Sequence, residues 1–270
     1  MAGVRGAWGY TIAAGLGCLA LLAGCTSTPP VLPDQTPSVP APSGPADPWG
    51  QLAARVAALQ DNRYVAAYTL AVRGRPARTV TVTIAADGSW LVVIPGGALG
   101  GDADIALANT PAGLYECATT RAPGALAPAG PPGCFVVGKR DSQLPARNDP
   151  RVEHVFTDWL QVLTNRDEAL SVVTAAPLPG TRGQCFSVEA NTAALGSPVD
   201  PGIYCFDEHG TLTGAALAMG TLTLASAPAA APPTVTLPGP VVAGSPLPLT
   251  APPSPSASPS SSAKPSPSHR

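Results

Sequence analysis

Between residues 47 and 226 the apolar residues recur with two periods, and the switches from one to the other mark out the elements. In "DPWGQLAARVAALQ", residues 47 to 60, Trp49, Leu52, Val56 and Leu59 fall three or four apart, the spacing of one helix face. Asp47 followed by Pro48 reads as a helix start. An aspartate side chain accepts from the free amides of the first turn, and proline lacks an N–H that would go unpaired there. The same device opens "DPRVEHVFTDWLQVL", residues 149 to 163, where Val152, Val155, Phe156, Trp159 and Leu163 make a second apolar face and predict a second helix.

The other segments alternate. "TVTVTI" sets Val80, Val82 and Ile84 against Thr79, Thr81 and Thr83, while "YVAAYTLAV" places Tyr64, Tyr68, Leu70 and Val72 on one face. Asp87-Gly88 and the Gly210 that closes "DEHG" are hairpin turns. Further short strands are expected at "WLVVI", "DIALANT", "GLYECA", "CFVVG", "SVVTA", "QCFSVEA", "GIYCF" and "TLTGAALAMGTLTLA", and "PGGALGGDAD" reads as a strand-to-strand loop. A helix, many strands, a second helix and more strands predict an α+β domain, with an antiparallel sheet that is greasy on one face.

Outside 47–226 the pattern changes. Residues 25–46 and 227–270 are rich in Pro, Ala and Ser, a composition that buries too little to offset the entropy of ordering; both are expected to be disordered, the first as an extended tether. At the N-terminus Arg5 precedes an apolar stretch from Tyr10 to Ala23, the layout of a signal peptide. Leu22-Ala23-Gly24-Cys25 resembles the lipobox of bacterial lipoprotein signals: small Ala23 and Gly24 let the backbone enter a peptidase groove, and the Cys25 thiol can carry a diacylglyceryl group. That resemblance implies a signal peptide at 1–24 and a mature protein anchored through Cys25, by acyl chains such as palmitate, to the extracytoplasmic face of the cell membrane. Two chains hold stably, since a buried methylene contributes about 0.8 kcal/mol and one chain alone binds only marginally. An uncleaved transmembrane helix and an ordinary secretory signal are the other readings of this stretch.

A formal net charge of −2 with 12% charged residues leaves no footprint for nucleic acid. Of six cysteines, Cys18 leaves with the signal and Cys25 is lipidated, so Cys117, Cys134, Cys185 and Cys205 remain. An even number in an exported chain implies disulfides. Cys117 and Cys134 flank one Pro/Gly loop, and Cys185 and Cys205 sit in consecutive strand-like runs, so pairing is expected to be local. Each bridge would stabilise by about 3 kcal/mol. A four-cysteine zinc site would need closer spacing than this chain offers.

Catalytic signals are missing. There is no GxSxG elbow and no phosphate-binding glycine loop before a lysine. His154 and Asp158 stand four apart and read as a solvated pair; Asp207, Glu208 and His209 read as turn residues. No enzyme activity, metal or cofactor is expected. Tyr68, Trp90, Phe156 and Trp159 fall on apolar faces of the sheet and second helix, where they would line a cavity or fill a core. Both have the same periodicity.

The order of elements over 47–226, the lipobox, and the hairpin "GIYCFDEHGTLT" with its trailing strand are together similar to the LolA-like lipoprotein fold, the family of LolA, LppX and LprG. The resemblance implies a curved antiparallel sheet forming an incomplete β-barrel, two helices over its concave side, and an apolar interior that holds acyl chains. Its expected ligand is a lipid or glycolipid, held in a cavity lined by Tyr68, Trp90, Phe156 and Trp159. The alternative is a sensor or interaction module that presents the same fold to an envelope protein partner and binds no lipid.

Overall fold

A computed structural model describes residues 47–121, 133–191 and 197–250. The expected signal peptide, Cys25 and tether lie outside these residues, as does the chain from 251 onward. The first helix, α1 (Pro48–Asp61), starts as its sequence indicates: the Asp47 side chain accepts from the Gly50 N–H at 2.9 Å, and Leu52, Val56 and Leu59 are buried. Six strands follow, β1 (Tyr64–Ala71), β2 (Arg78–Ile84), β3 (Trp90–Ala98), β4 (Ala103–Thr110), β5 (Gly113–Arg121) and β6 (Gly133–Gly138). After a short helix, α2 (Trp159–Thr164), come β7 (Leu170–Ala175), β8 (Gln184–Ala190), β9 (Gly202–Phe206), β10 (Leu212–Leu217), β11 (Gly220–Leu224) and the two-residue β12 (Ala229–Ala230).

These twelve strands form one open antiparallel sheet, ordered β6-β5-β4-β3-β2-β1-β11-β10-β9-β8-β7, with β12 beside β1. The topology is two meanders that meet at β1 and β11. Consecutive strands are adjacent within each meander, and the connection from β6 to β7 carries α2, which packs on the core face of the sheet. Alternation behaves as the sequence predicts: Val80 and Val82 are buried while Thr79 is exposed. One apolar cluster runs from Ile105 and Leu107 on β4 through Tyr68 on β1 to Phe186 and Val188 on β8, and takes in α1, α2 and the segment before α2. Eleven strands laid flat would span about 48 Å, whereas α1 is only about 21 Å long. The sheet therefore has to wrap around its helices for both flanks to share one core.

Both disulfides form as expected, Cys117–Cys134 and Cys185–Cys205. Each joins residues directly opposed in neighbouring strands, β5 to β6 and β8 to β9. Their neighbours Glu116, Phe186 and Tyr204 point toward the helices, so alternation puts both bridges on the opposite face.

Three expectations are corrected. The helix predicted from Pro150 to Leu163 is interrupted: Arg151 adopts φ +66°, Glu153–Phe156 is a 3-10 turn, and α2 begins only at Trp159. Thr157 leaves helical backbone space at φ −130° and ψ −109°, so its N–H donates to the His154 carbonyl at 3.1 Å while its hydroxyl donates to the Glu153 carbonyl at 2.9 Å. All five apolar residues of the predicted face are nonetheless buried. In "PGGALGGDAD" β3 runs on to Ala98, so that the loop shrinks to a single turn at Leu99–Gly101.

The third correction moves the domain boundary. The tail expected to be disordered from 227 is ordered to 250 and forms a strap. Ala229 and Ala230 pair with β1, the carbonyls of Pro232 and Pro233 accept from Ala86 and Asp87 in the β2–β3 turn, and Leu237 packs against the small cluster that includes Tyr115 and the Cys117–Cys134 bridge. The strap then runs parallel to the edge of β6 at Val241, turns over that edge, and brings Leu247 to the core side. There the Leu247 N–H donates to Glu116 Oε1 at 2.6 Å. Proline cannot donate to a ladder, yet each proline keeps a carbonyl. Pro232, Pro233, Pro240 and Pro248 all serve as acceptors in this path.

Candidate functional site

At the end of the sheet where the β2–β3 and β4–β5 hairpins turn, the core stops short of the surface and leaves a cleft of about 580 Å³. Its apolar wall is made by Leu59 at the end of α1, Ile84 and Trp90 of the β2–β3 hairpin, Leu114 of β5, and Phe156 and Leu160 beside α2. Polar groups ring it: Gln60, Arg63, Asp141, Gln143, Asp158 and Gln161. The loop that forms one side is pinned by an amide. Asn109 Nδ2 donates to Asp141 Oδ1 at 2.6 Å and its Oδ1 accepts from the Asp141 N–H at 3.1 Å, holding Asp141 at φ +60°.

Of the four aromatics expected in a cavity, Trp90 and Phe156 line this cleft. Tyr68 and Trp159 do not, which corrects that part of the expectation. Tyr68 is fully buried, donates its hydroxyl to the Leu212 carbonyl at 3.0 Å, and packs on the Phe156 ring at 4.9 Å. Trp159 is 4% exposed, sandwiched between the His154 ring, stacked at 5.3 Å, and the Arg151 guanidinium at 5.3 Å. Both are core residues because each is enclosed by the chain segments that cross from β6 to β7.

The pair read as solvated, His154 and Asp158, is instead the centre of a charge cluster in the cleft wall, and this is the second correction at the site. His154 Nδ1 lies 2.5 Å from Asp158 Oδ1, its Nε2 is 3.0 Å from Asp149 Oδ2, and Glu153 Oε1 stands 3.8 Å from the same nitrogen. The break at Thr157 and the turn at Arg151 bring these four residues together. Glu153 is buried, which pushes its carboxyl up to about 8, and the negative Asp149 adds to the shift. Burial alone would disfavour a charged His154, but its bonds to Asp149 and Asp158 prevail and raise it to about 10. Burial would likewise raise Asp149 and Asp158, and the imidazole instead holds both below the usual carboxylate range. Arg151 is committed elsewhere, to Asp200 at 2.5 Å.

Asp149 and Glu153 had no place in the sequence-level site. Asp149 looks like a cap, and Glu153 differs from its surroundings only as a carboxylate between Val152 and Val155. By contrast Asp207 is a turn residue as expected, accepting from the His209 and Thr211 N–H groups at 3.0 and 2.8 Å, while Glu208 and His209 are exposed. The fold and cleft thus describe an α+β domain with an open antiparallel sheet and a lateral cleft of mixed lining, apolar on the side of Trp90 and Phe156 and charged on the side of His154. A scan against protein-family models finds no match for this chain, and a search of curated proteins finds none either.

Proposed function

We propose that this protein is a lipoprotein, anchored through a diacylated Cys25 on the extracytoplasmic face of the membrane, whose LolA-like domain binds a lipid or other amphiphile in the cleft beside Trp90 and Phe156. The observation that carries the reading is the cleft itself, an apolar wall under a polar rim with a volume inside the roughly 300–1,000 Å³ of small-molecule sites. The middle of the sheet is filled by Tyr68, Phe186, Tyr204 and Phe206, all fully buried, so the space suits one small amphiphile more than a lipid with several chains.

Native mass spectrometry of the full-length chain, purified from its own host in detergent, tests this. A co-purifying amphiphile is expected in the native protein and lost in Trp90→Glu, which puts a charge at the cleft wall, with near-ultraviolet circular dichroism checking that the variant folds. If the native protein carries nothing and takes up no fluorescent fatty acid, the interaction module is the better reading. Its natural docking edge is β7, an outer strand of the sheet on which Val173 is 53% exposed.

A further inference from the structure

We propose that Asp149, Glu153 and His154 form a binding site for one divalent first-row transition metal ion, with zinc as the test case and Asp158 as the residue that positions His154. The site does not depend on the amphiphile reading. One imidazole nitrogen and two carboxylate oxygens, one from each residue, all lie within 4.8 Å of one another. Two ligands each about 2.1 Å from a tetrahedral ion stand about 3.4 Å apart. The separations from His154 Nε2, 3.0 Å to Asp149 and 3.8 Å to Glu153, bracket that value.

Glu153 supplies a separate argument. It is 1% exposed, and neither of its carboxylate oxygens has a hydrogen-bond partner. A buried carboxyl group without a hydrogen-bond partner is costly in either protonation state, and a cation that displaces its proton is one of the few things that satisfies it. Arg151, the nearest guanidinium along the chain, is turned to Asp200 and leaves that role open. Asp158 on the far nitrogen of His154 completes a carboxylate–histidine–metal relay, which fixes the tautomer that presents Nε2 and makes it more basic. Nitrogen and oxygen donors together favour zinc and its first-row neighbours over magnesium or calcium, which prefer oxygen alone. Glu153 and His154 also border the cleft, and three protein ligands would leave a tetrahedral ion one further position.

The test is equilibrium dialysis of the chelator-treated full-length chain against Zn²⁺, with bound metal counted by elemental mass spectrometry and Co²⁺ absorption reporting the geometry. One equivalent is expected. Glu153→Gln and Asp149→Asn should each weaken binding at least tenfold, and Asp158→Asn by about 10–100-fold although it touches no metal. His209→Ala, at an exposed imidazole, should bind as the native chain does. Near-ultraviolet circular dichroism checks folding, and should Glu153→Gln fail that check, the half-exposed Asp158 variant decides the matter. No uptake by the native chain, or uptake indifferent to the Asp149 and Asp158 changes, overturns the site and leaves a cluster that only shares protons.

Discussion

Glu116 shows how one residue couples the strap to the sheet. It sits on the core face of β5 with Oε1 accepting from the Leu247 N–H and Oε2 unpartnered. Burial pushes its carboxyl up from 4.5 to about 7, a shift that the Leu247 bond only partly offsets. Between those values the folded protein holds a proton on Glu116 that the unfolded chain releases, so the Glu116 contribution to stability falls as pH rises from about 4.5 to 7 and is level beyond. In Glu116→Gln that slope should disappear, leaving the variant more stable than the native chain by about 1–3 kcal/mol at pH 8 and no more stable at pH 4.5. Urea unfolding at the two pH values reads it. The tryptophans make a second comparison. Trp159→Ala removes a side chain enclosed on every side and should cost about 3–5 kcal/mol, while Trp90→Ala at the cleft wall should cost about 1 kcal/mol. Equal losses would mean that Trp90 is core as well. Neither role was legible in the sequence, because a tryptophan on an apolar face shows the same spacing whether its far side meets protein or solvent.

Among the elements, α1 and the strands were readable because their signals are local: a cap, a proline, an alternation, a turn glycine. The interruption before α2 was not, since it lies in the backbone conformations of Arg151 and Thr157 and accompanies the bonds of Asp149 and Asp158 to His154. The strap was misread for a different reason. Its composition resembles the rest of the tail, but Val235, Leu237 and Leu247 are spaced along it and find apolar cover, and β6 offers a bare edge to its backbone. Removing residues 227–270 should therefore destabilise the domain, lowering the thermal midpoint by several degrees for each kcal/mol lost. It should also speed reduction of Cys117–Cys134, because the strap bonds both the N–H and the carbonyl of Cys134. A truncated chain that melts and is reduced like the native one would show that the strap contributes no stability.

For the whole molecule, the proposed reading puts attachment and ligand binding in different parts of the chain. No helix among the described residues is long and apolar enough to cross a membrane. If Cys25 carries the anchor, Cys25→Ser should move the protein from the membrane to the soluble fraction and abolish acyl labelling; retention with an intact N-terminus would instead support a spanning segment there. The sequence by itself determined the α+β class, the antiparallel pairing of consecutive strands and the two local disulfides, because each follows from residues near one another along the chain. Only the tertiary structure decided where the core ends and the cleft begins, that a proline-rich segment closes the β6 edge, and that Asp149, Glu153, His154 and Asp158 meet. These depend on contacts between distant segments and on a single φ at Arg151, and a pattern of apolar and polar positions records neither.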